Sequence, residues 1–209
     1  MSYPFQMNEI VDSPSKLAIL RVFASREGLK ATGREVAKLA GFSVPSTHAS
    51  LKDLHARNIL VREIIGKQHI YSLNEEDRIV QKIIRPMFEA ENNYKQEIRD
   101  LLLEEIKRAG IKGAVVSLIL YGSVQKETAR KESDVDVAVI VAKSTDVDRV
   151  FEIFNSDIGD RFRSFFGVPL DFYVKPAEEF RKRLQKNLPP VSTLMKSYSV
   201  LYGKEPLEV

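Results

Sequence analysis

Tyr121-Gly122-Ser123, followed after ten residues by Asp134-Val135-Asp136, is the stretch that decides the fold of the C-terminal half of the chain. The apolar run before it, Ala114 to Tyr121, predicts a strand that is buried on both faces and ends in a turn of small residues. Backbone N–H groups in such a turn can approach phosphate oxygens. The two aspartates are two residues apart in a β-branched run, and side chains alternate between the faces of a strand. The stretch therefore predicts two carboxylates on one face of a second strand, beside a phosphate-binding turn.

Together with a third strand, Leu170-Asp171-Phe172-Tyr173-Val174, these residues resemble the minimal nucleotidyltransferase fold of the DNA polymerase β superfamily. The resemblance covers roughly the C-terminal half of the chain. It implies a small mixed-sheet domain that transfers a nucleoside monophosphate from an NTP, with ATP as the expected donor, to an acceptor hydroxyl. The residues it implies as catalytic and as ligands of two Mg²⁺ ions are Asp134, Asp136 and Asp171. Those it implies as nucleotide-binding are Gly122 and Ser123.

The chemistry of nucleotidyl transfer explains why three acids are needed. The reaction places negative charge on the attacking and the leaving oxygens, and a pair of metal ions can stabilise both. Mg²⁺ prefers hard oxygen ligands, which carboxylates supply. Three carboxylates packed together without a cation would repel one another and raise some of their pKa values. We expect Asp171, which need bind only one metal ion, to help deprotonate the acceptor.

The segment between the turn and the aspartate pair contains three cations, Lys126, Arg130 and Lys131. Lys126 is the candidate for contacting phosphate, and the alternative for all three is a solvated helix and loop. Many relatives have Arg directly after the Ser and a second Gly a few residues later, where this chain has Val124 and Glu127. These departures favour an alternative function, a transcriptional regulator with a catalytically inactive, nucleotide-sensing nucleotidyltransferase-like domain.

Residues 1–75 carry a different pattern, which predicts three helices. Ser13-Pro14 predicts the start of a helix that runs to about Ser25. A short second helix opens at Thr32 and ends in the tight turn Gly41-Phe42, and a third covers about 45–57. Two close helices joined by a glycine turn are typical of a helix-turn-helix.

Two short β-rich segments, Ile59 to Ile65 and Gln68 to Leu73, follow and predict a hairpin around Gly66-Lys67. With the three helices they resemble a winged helix-turn-helix DNA-binding domain, and a protein-docking winged helix is the alternative. The third helix then enters the major groove and the wing touches phosphates. Its outer face is predicted from Ser46, Thr47, His48, Ser50 and Lys52, with Ala49, Leu51 and Leu54 facing inward. The candidate DNA-binding residues are Ser46, Thr47, His48, Lys52, Arg62 and Lys67.

The segment 76–110 is charged, has apolar residues at helical spacing and is predicted to be helical with one break, at Pro86. We interpret it as a helical linker between the winged helix, 1–75, and the nucleotidyltransferase domain, 111–209. A dimerising coiled coil is the alternative. A homodimer is an attractive possibility because helix-turn-helix regulators often read two-fold sites.

Composition sets the outer bounds of these interpretations. The 209 residues with 44% hydrophobic content are enough for two small cores. The two resemblances imply an α/β and α+β protein, with an N-terminal winged helix followed by a small mixed-sheet nucleotidyltransferase domain. The net charge of +3 is mild, so DNA affinity has to come from a local patch. The chain has no cysteine, no apolar signal segment and no run of membrane-spanning length. We therefore expect a cytoplasmic protein that binds DNA and an NTP, does not bind a membrane, and modifies an acceptor such as a toxin-like protein.

Overall fold

The structure, a computed structural model, describes residues 7–126 and 133–209. It divides into two compact units, with the boundary between Tyr94 and Lys95. The predicted linker, 76–110, is therefore divided between the two units. Glu127, Arg130 and Lys131 lie outside the described residues.

The N-terminal unit contains helices and a small sheet. In chain order its elements are α1 Met7–Ile10, α2 Pro14–Ala24, β1 Ala31–Thr32, α3 Gly33–Ala40, α4 Val44–Ala56, β2 Leu60–Ile65, β3 Gln68–Leu73 and, after a π-helical turn at Val80–Ile84, α5 Arg85–Asn92. The three predicted helices and both strands of the hairpin are confirmed.

Short polar side chains fix where these helices begin. Ser13 accepts a hydrogen bond from the Lys16 backbone N–H at the start of α2 (3.3 Å). At the start of α3, Thr32 and Glu35 form a capping box, in which each side chain accepts from the other residue's backbone N–H. The helix ends at Gly41, whose φ of 72° is in the left-handed region that favours glycine.

The sheet of this unit has the strand order β1-β3-β2, with both pairings antiparallel. The core below it is formed by α2, α3 and α4 with the inward residues of the hairpin, and Leu20, Phe23 and Leu54 are all buried there. Three helices with a hairpin placed this way form a winged helix. The two-residue strand β1 was not predicted, because it is too short to show the two-residue period of a strand.

The region after the hairpin differs from its prediction. The chain passes Pro86 without a break, because Pro86 lies in the first turn of α5, where a missing N–H costs little. The preceding turn is π-helical, and Arg85 donates its backbone N–H to the Val80 carbonyl. The break comes instead at Asn93, which separates α5 from the next helix. Ile84 and Phe88 are buried in the core of the N-terminal unit.

The C-terminal unit is a mixed sheet covered by helices. Its elements are α6 Tyr94–Arg108, β4 Val115–Tyr121, α7 Gly122–Gln125, β5 Val135–Val141, α8 Val147–Ile153, a π-helical turn at Phe154–Ile158, α9 Gly159–Phe166, β6 Leu170–Pro176, α10 Ala177–Gln185, α11 Val191–Leu194 and β7 Ser199–Gly203. Strands β4, β5 and β6 were predicted. The mixed helix and strand class of the chain is confirmed as α+β.

The four strands are ordered β6-β5-β4-β7. Strand β5 runs parallel to β6, and the other pairs are antiparallel. One face of the sheet packs on α10 and α11, where Ile119, Ile140 and Phe180 are buried together. Val135, Val137 and Val139 point to the opposite face and are fully buried. None of the helices in the described ranges is both long and apolar enough to span a membrane.

Candidate functional site

Two of the predicted acids are direct neighbours in the sheet of the C-terminal unit. Asp136 is paired with Asp171 in the parallel register of β5 and β6, and with Tyr121 in the antiparallel register of β4 and β5. Paired residues project from the same face of a sheet. The two carboxylates therefore lie side by side on the face that also carries Ala138 and Ile140.

The turn after β4 closes over this pair. Gly122 has a φ of 77°, which only glycine adopts at little cost. A Cβ atom at this position would lie 2.6 Å from the Cγ atom of Asp136, so glycine is also required by the close approach of the carboxyl. The Ser123 backbone N–H donates a hydrogen bond to the Asp136 carboxylate. The predicted Gly122-Ser123 turn and the predicted acid are thus in contact.

The electrostatics of Asp136 reflect this crowding. Burial raises the pKa of the Asp136 carboxyl, and the neighbouring Asp171 and Asp134 carboxylates raise it further. The Ser123 N–H and the Lys126 ammonium act in the opposite direction and lower the same pKa. The surroundings of Asp136, taken together, therefore favour the protonated form of its carboxyl.

Asp134 occupies a different position from the other two acids. It is exposed and comes directly before β5, while Asp171 is exposed at the start of β6. Within residues 7–126 and 133–209, no three His, Cys, Asp or Glu side chains are arranged closely enough to form a ready-made metal site. The donor set nevertheless fits a hard divalent cation, because it consists of carboxylate oxygens.

Two tyrosines next to the acids were not selected from the sequence. Burial raises the pKa of Tyr121 to about 12, with further contributions from Asp136 and Asp171. Burial also raises the pKa of Tyr173, whose hydroxyl finds no hydrogen-bond partner among the described residues. Tyr173 is two residues after Asp171, so strand alternation places it on the same face. That spacing is the signal from which it could have been found.

The turn residues that follow Ser123 are held by the surrounding structure. Gln125 accepts a hydrogen bond from the Ser199 hydroxyl at its side-chain oxygen (2.9 Å) and one from the Lys95 ammonium at its carbonyl (3.3 Å). Lys126 is exposed. Val124 is buried, with 7% of its surface exposed, so the residue directly after Ser123 does not offer a group to an anion.

The outer face of helix α4 in the N-terminal unit differs from the prediction. Thr47 is fully buried, which makes it wrong as a DNA-contacting residue. Ser50 is also buried and donates its hydroxyl hydrogen to Ser15 (3.0 Å), whereas Ala49 is exposed. The buried positions 47, 50, 51 and 54 follow helical spacing. Thr47 and Ser50 are polar, so the sequence pattern did not identify them as part of the buried face.

The remaining DNA-binding candidates are accessible. Ser46, His48 and Lys52 are exposed on α4, Arg62 is exposed on β2, and Lys67 is exposed in the turn between β2 and β3. The helix and the turn of the hairpin thus present polar and basic groups to solvent.

Comparison with known families assigns the C-terminal unit. Residues 99–197 match the family model described as "Nucleotidyltransferase domain". This part of the chain is a nucleotidyltransferase domain. The match includes the turn at Gly122-Ser123 and all three aspartates. The nucleotidyltransferase domain is preceded by a winged helix, so the predicted combination of the two is confirmed.

The comparison with curated protein sequences gives no match. Three solved structures show a distant similarity to parts of the chain. A predicted DNA-binding transcriptional regulator from E. coli is 16% identical and covers 42% of this chain and 84% of its own, with a TM-score of 0.34. A structure described as a toxin-antitoxin with AMP-PNP is 15% identical over 51% of this chain and 74% of its own, with a TM-score of 0.35. A possible transcriptional regulator from Methanosarcina mazei Go1 is 17% identical over 52% and 94%, with a TM-score of 0.30.

Proposed function

We propose that the protein is a DNA-binding, Mg²⁺-dependent nucleotidyltransferase that transfers a nucleoside monophosphate from an NTP, with ATP as donor, to an acceptor hydroxyl. The observation that carries the proposal is the in-register pairing of Asp136 with Asp171 beneath the Gly122-Ser123 turn. It lies within the residues that match the nucleotidyltransferase family. Acids placed beside a phosphate-binding turn are what this reaction requires.

In this proposal the turn binds the triphosphate. Gly122 has no side chain to block the approach of a phosphate, and Ser123 contributes its hydroxyl as a hydrogen-bond donor. Lys126 is the cation that accompanies the turn, since its charge already acts on the Asp136 carboxylate. A phosphate bound there would be positioned beside the acid pair.

The three aspartates have distinct roles in the proposed reaction. Asp134 and Asp136 would hold two Mg²⁺ ions, and Asp171 would hold one of them. When bound, these ions supply stabilisation of the negative charge that develops on the attacking and leaving oxygens. The exposed carboxylate of Asp171 is accessible to an incoming hydroxyl group and accepts its proton.

The test is incubation of the full chain with Mg²⁺, ATP labelled in the α-phosphate and candidate acceptors. We expect labelled acceptor with the unaltered protein and a loss of at least about 100-fold with Asp134→Asn or Asp136→Asn. Asp148→Asn is the matched control, because Asp148 is exposed on α8. Transfer that survives both substitutions at the site would contradict the proposed roles.

The acceptor that we propose is a toxin-like partner protein, which makes the chain an autoregulated antitoxin. The pairing of a DNA-binding unit with a nucleotidyltransferase domain supports this choice over modification of a small molecule, because an antitoxin also controls its own operon. The experiment repeats the labelling reaction with the product of the neighbouring gene and with an aminoglycoside as acceptors. Label on the aminoglycoside alone would refute the antitoxin assignment.

We further propose that the winged helix binds DNA through α4 and the hairpin turn. The exposed Lys52 and Lys67 support this, since each phosphate contact releases bound counterions. A gel shift on the promoter region of the protein's own gene, repeated at several salt concentrations, should weaken with Lys52→Ala and with Lys67→Ala. Each substitution should reduce the slope of log affinity against log salt by about 0.9. Lys82→Ala, on an exposed residue of the turn Val80–Ile84, is the control. Unchanged binding by both site variants would contradict this docking surface.

A second candidate function is favoured by Val124. A buried apolar residue stands directly after Ser123, so the turn lacks a cation there. The domain would then sense a nucleotide without transferring it, and the protein would be a transcriptional regulator. Nucleotide binding by calorimetry, combined with no acid-dependent transfer to any acceptor and a nucleotide-dependent change in DNA affinity, would establish this alternative.

A further inference from the structure

A cleft of about 430 Å³ lies between three elements of the N-terminal unit. The start of α3 contributes Arg34, helix α4 contributes His48, and the hairpin contributes Lys67 and His69. All four side chains are exposed, so they are accessible from solvent. Two cations and two imidazoles therefore converge on one concave surface.

The position of His48 in this cleft depends on Gly33. A Cβ atom at Gly33 would lie 2.7 Å from Nε2 and 3.0 Å from Cε1 of His48, so the imidazole lies directly against the backbone of Gly33. Any larger residue at position 33 would move the ring. The glycine thus allows the imidazole to lie against the first residue of α3, next to Arg34 in the sequence.

Carboxylates on the same elements are bound elsewhere. Glu35 on α3 accepts hydrogen bonds from the backbone N–H and the hydroxyl of Thr32, at 2.7 and 2.8 Å. Glu63 on β2 forms an ion pair with Lys30 at 2.7 Å. None of the residues that line the cleft in the described part of the chain is acidic. The charge of the cleft is consequently positive, and it increases when either histidine gains a proton.

We propose that this cleft binds one phosphodiester group of the DNA backbone and takes up protons as it does so, which makes DNA affinity pH-dependent. The inference rests on the proposed DNA binding by the winged helix. A backbone phosphate seated between α4 and the hairpin turn accepts hydrogen bonds from Arg34, His48 and Lys67. His69 is the second residue of β3, opposite Ile64 of β2, and is the second imidazole of the cleft.

The direction of the pH dependence follows from the charge of imidazole. Histidine side chains change charge between about pH 5 and pH 8, and an adjacent anion favours the protonated form. The bound state therefore holds more protons than the free state, and affinity rises as pH falls. The other charged residues that line the cleft are Arg34 and Lys67, and guanidinium and ammonium groups do not ordinarily change charge in this range.

The experiment measures binding of a fluorescein-labelled duplex from the promoter region of the protein's own gene by anisotropy, at constant ionic strength. Between about pH 8 and about pH 6, the affinity of the unaltered protein should rise roughly tenfold more than that of the His48→Gln/His69→Gln double variant. Gly33→Ala, which displaces the ring and keeps every basic residue, should also reduce the rise. His55→Gln is the control, because the His55 Nδ1 atom lies 3.0 Å from the Leu60 carbonyl oxygen and His55 does not line the cleft.

The outcomes separate this inference from the proposal on which it rests. If the double variant binds the duplex with the same pH dependence as the unaltered protein, the inference is overturned and DNA binding stands. If the unaltered protein binds no duplex at any pH, both are overturned. Titration of the imidazole NMR resonances with inorganic phosphate identifies the source of the anion. A response to the duplex at concentrations where phosphate has no effect supports a backbone phosphodiester, and saturation by phosphate alone refutes it.

Discussion

The surroundings of Asp136 disfavour the charged form of its carboxyl. Its pKa is raised by burial and by Asp171 and Asp134, so its ionised form lowers the stability of the folded protein. For a carboxyl group with a raised pKa, the favourable contribution is present at low pH and is lost as pH rises through the folded-state value. Residues kept at such a cost are typical of functional sites.

We therefore predict that Asp136→Asn stabilises the protein while abolishing transfer. The melting temperature at about pH 8 should rise by about 2–4 °C, equivalent to about 1 kcal/mol for a chain of this size. The difference should disappear as pH falls toward about 3.9, where the aspartate of the unaltered protein is also neutral. Scanning calorimetry in the absence of divalent cations is the measurement. A lower melting temperature at high pH would contradict the assigned charge of this residue.

Thr47 offers a second prediction for a single residue. Its hydroxyl is buried and has no hydrogen-bond partner within residues 7–126 and 133–209. Thr47→Val removes the unsatisfied hydroxyl at nearly constant volume and should raise the free energy of unfolding by about 1 kcal/mol in urea titrations. Because the side chain faces the core, DNA affinity should stay unchanged, in contrast to Lys52→Ala. If Thr47→Val lost DNA binding while its free energy of unfolding stayed unchanged, Thr47 would be a DNA-contacting residue after all.

Among the helices and strands, those with a clear apolar periodicity or a capping residue were predicted from the sequence. Apolar strands such as β4 and β5 and the capped helices α2 and α3 were located within a few residues, because their local patterns agree with their tertiary positions. The inward face of α4 was partly missed, since Thr47 and Ser50 are polar and small residues at helical spacing are ambiguous. The chain stays helical through Pro86 because a π-helical turn precedes α5, and a π-helical turn cannot be predicted from the amino-acid composition of a segment.

The candidate site was predictable to a similar extent. The resemblance predicts that Asp136 and Asp171 belong to one site, and strand alternation predicts the face on which Asp136 lies. The register that pairs the two residues depends on how the strands pack in the folded protein. The contact of Gly122 with the Asp136 carboxyl and the burial of Tyr121 depend on the same register. The sequence alone contains neither.

The capping box of α3 gives a prediction for an element. Thr32→Ala removes the hydroxyl that accepts from the Glu35 backbone N–H and should lower the free energy of unfolding by about 1 kcal/mol. Hydrogen bonds from the Thr32 backbone N–H and hydroxyl lower the pKa of Glu35, so the part of the stabilisation that depends on the Glu35 carboxylate is present above the ordinary Glu range and is lost as pH falls through the lowered value. Urea denaturation at two pH values measures the effect. An equal loss on either side of that range would contradict the coupling.

For the whole molecule, the two compact units have separate cores. Leu20 and Phe88 belong to the first, and Ile119 and Phe180 belong to the second. The boundary predicted at residue 75 precedes Ile84 and Phe88, which complete the first core. A cut at residue 75 would therefore remove apolar residues from the winged helix.

We predict that residues 1–94 and 95–209, produced as separate chains, each fold with a cooperative thermal transition in circular dichroism. Residues 1–75 alone should unfold at a lower temperature than 1–94, by more than about 10 °C, because they lack the burial supplied by Ile84 and Phe88. Equal melting temperatures for the two N-terminal fragments would show that residues 76–94 are not part of that core.

The parallel pairing of β5 with β6 has a consequence for how this chain can diverge. Parallel neighbours need a long crossover, and residues 142–169 form it here through α8 and α9. The ladder between the strands, rather than the length of that connection, sets the alignment of Asp136 with Asp171. Insertions and deletions in the crossover can therefore accumulate while the pairing of Asp136 with Asp171 stays the same.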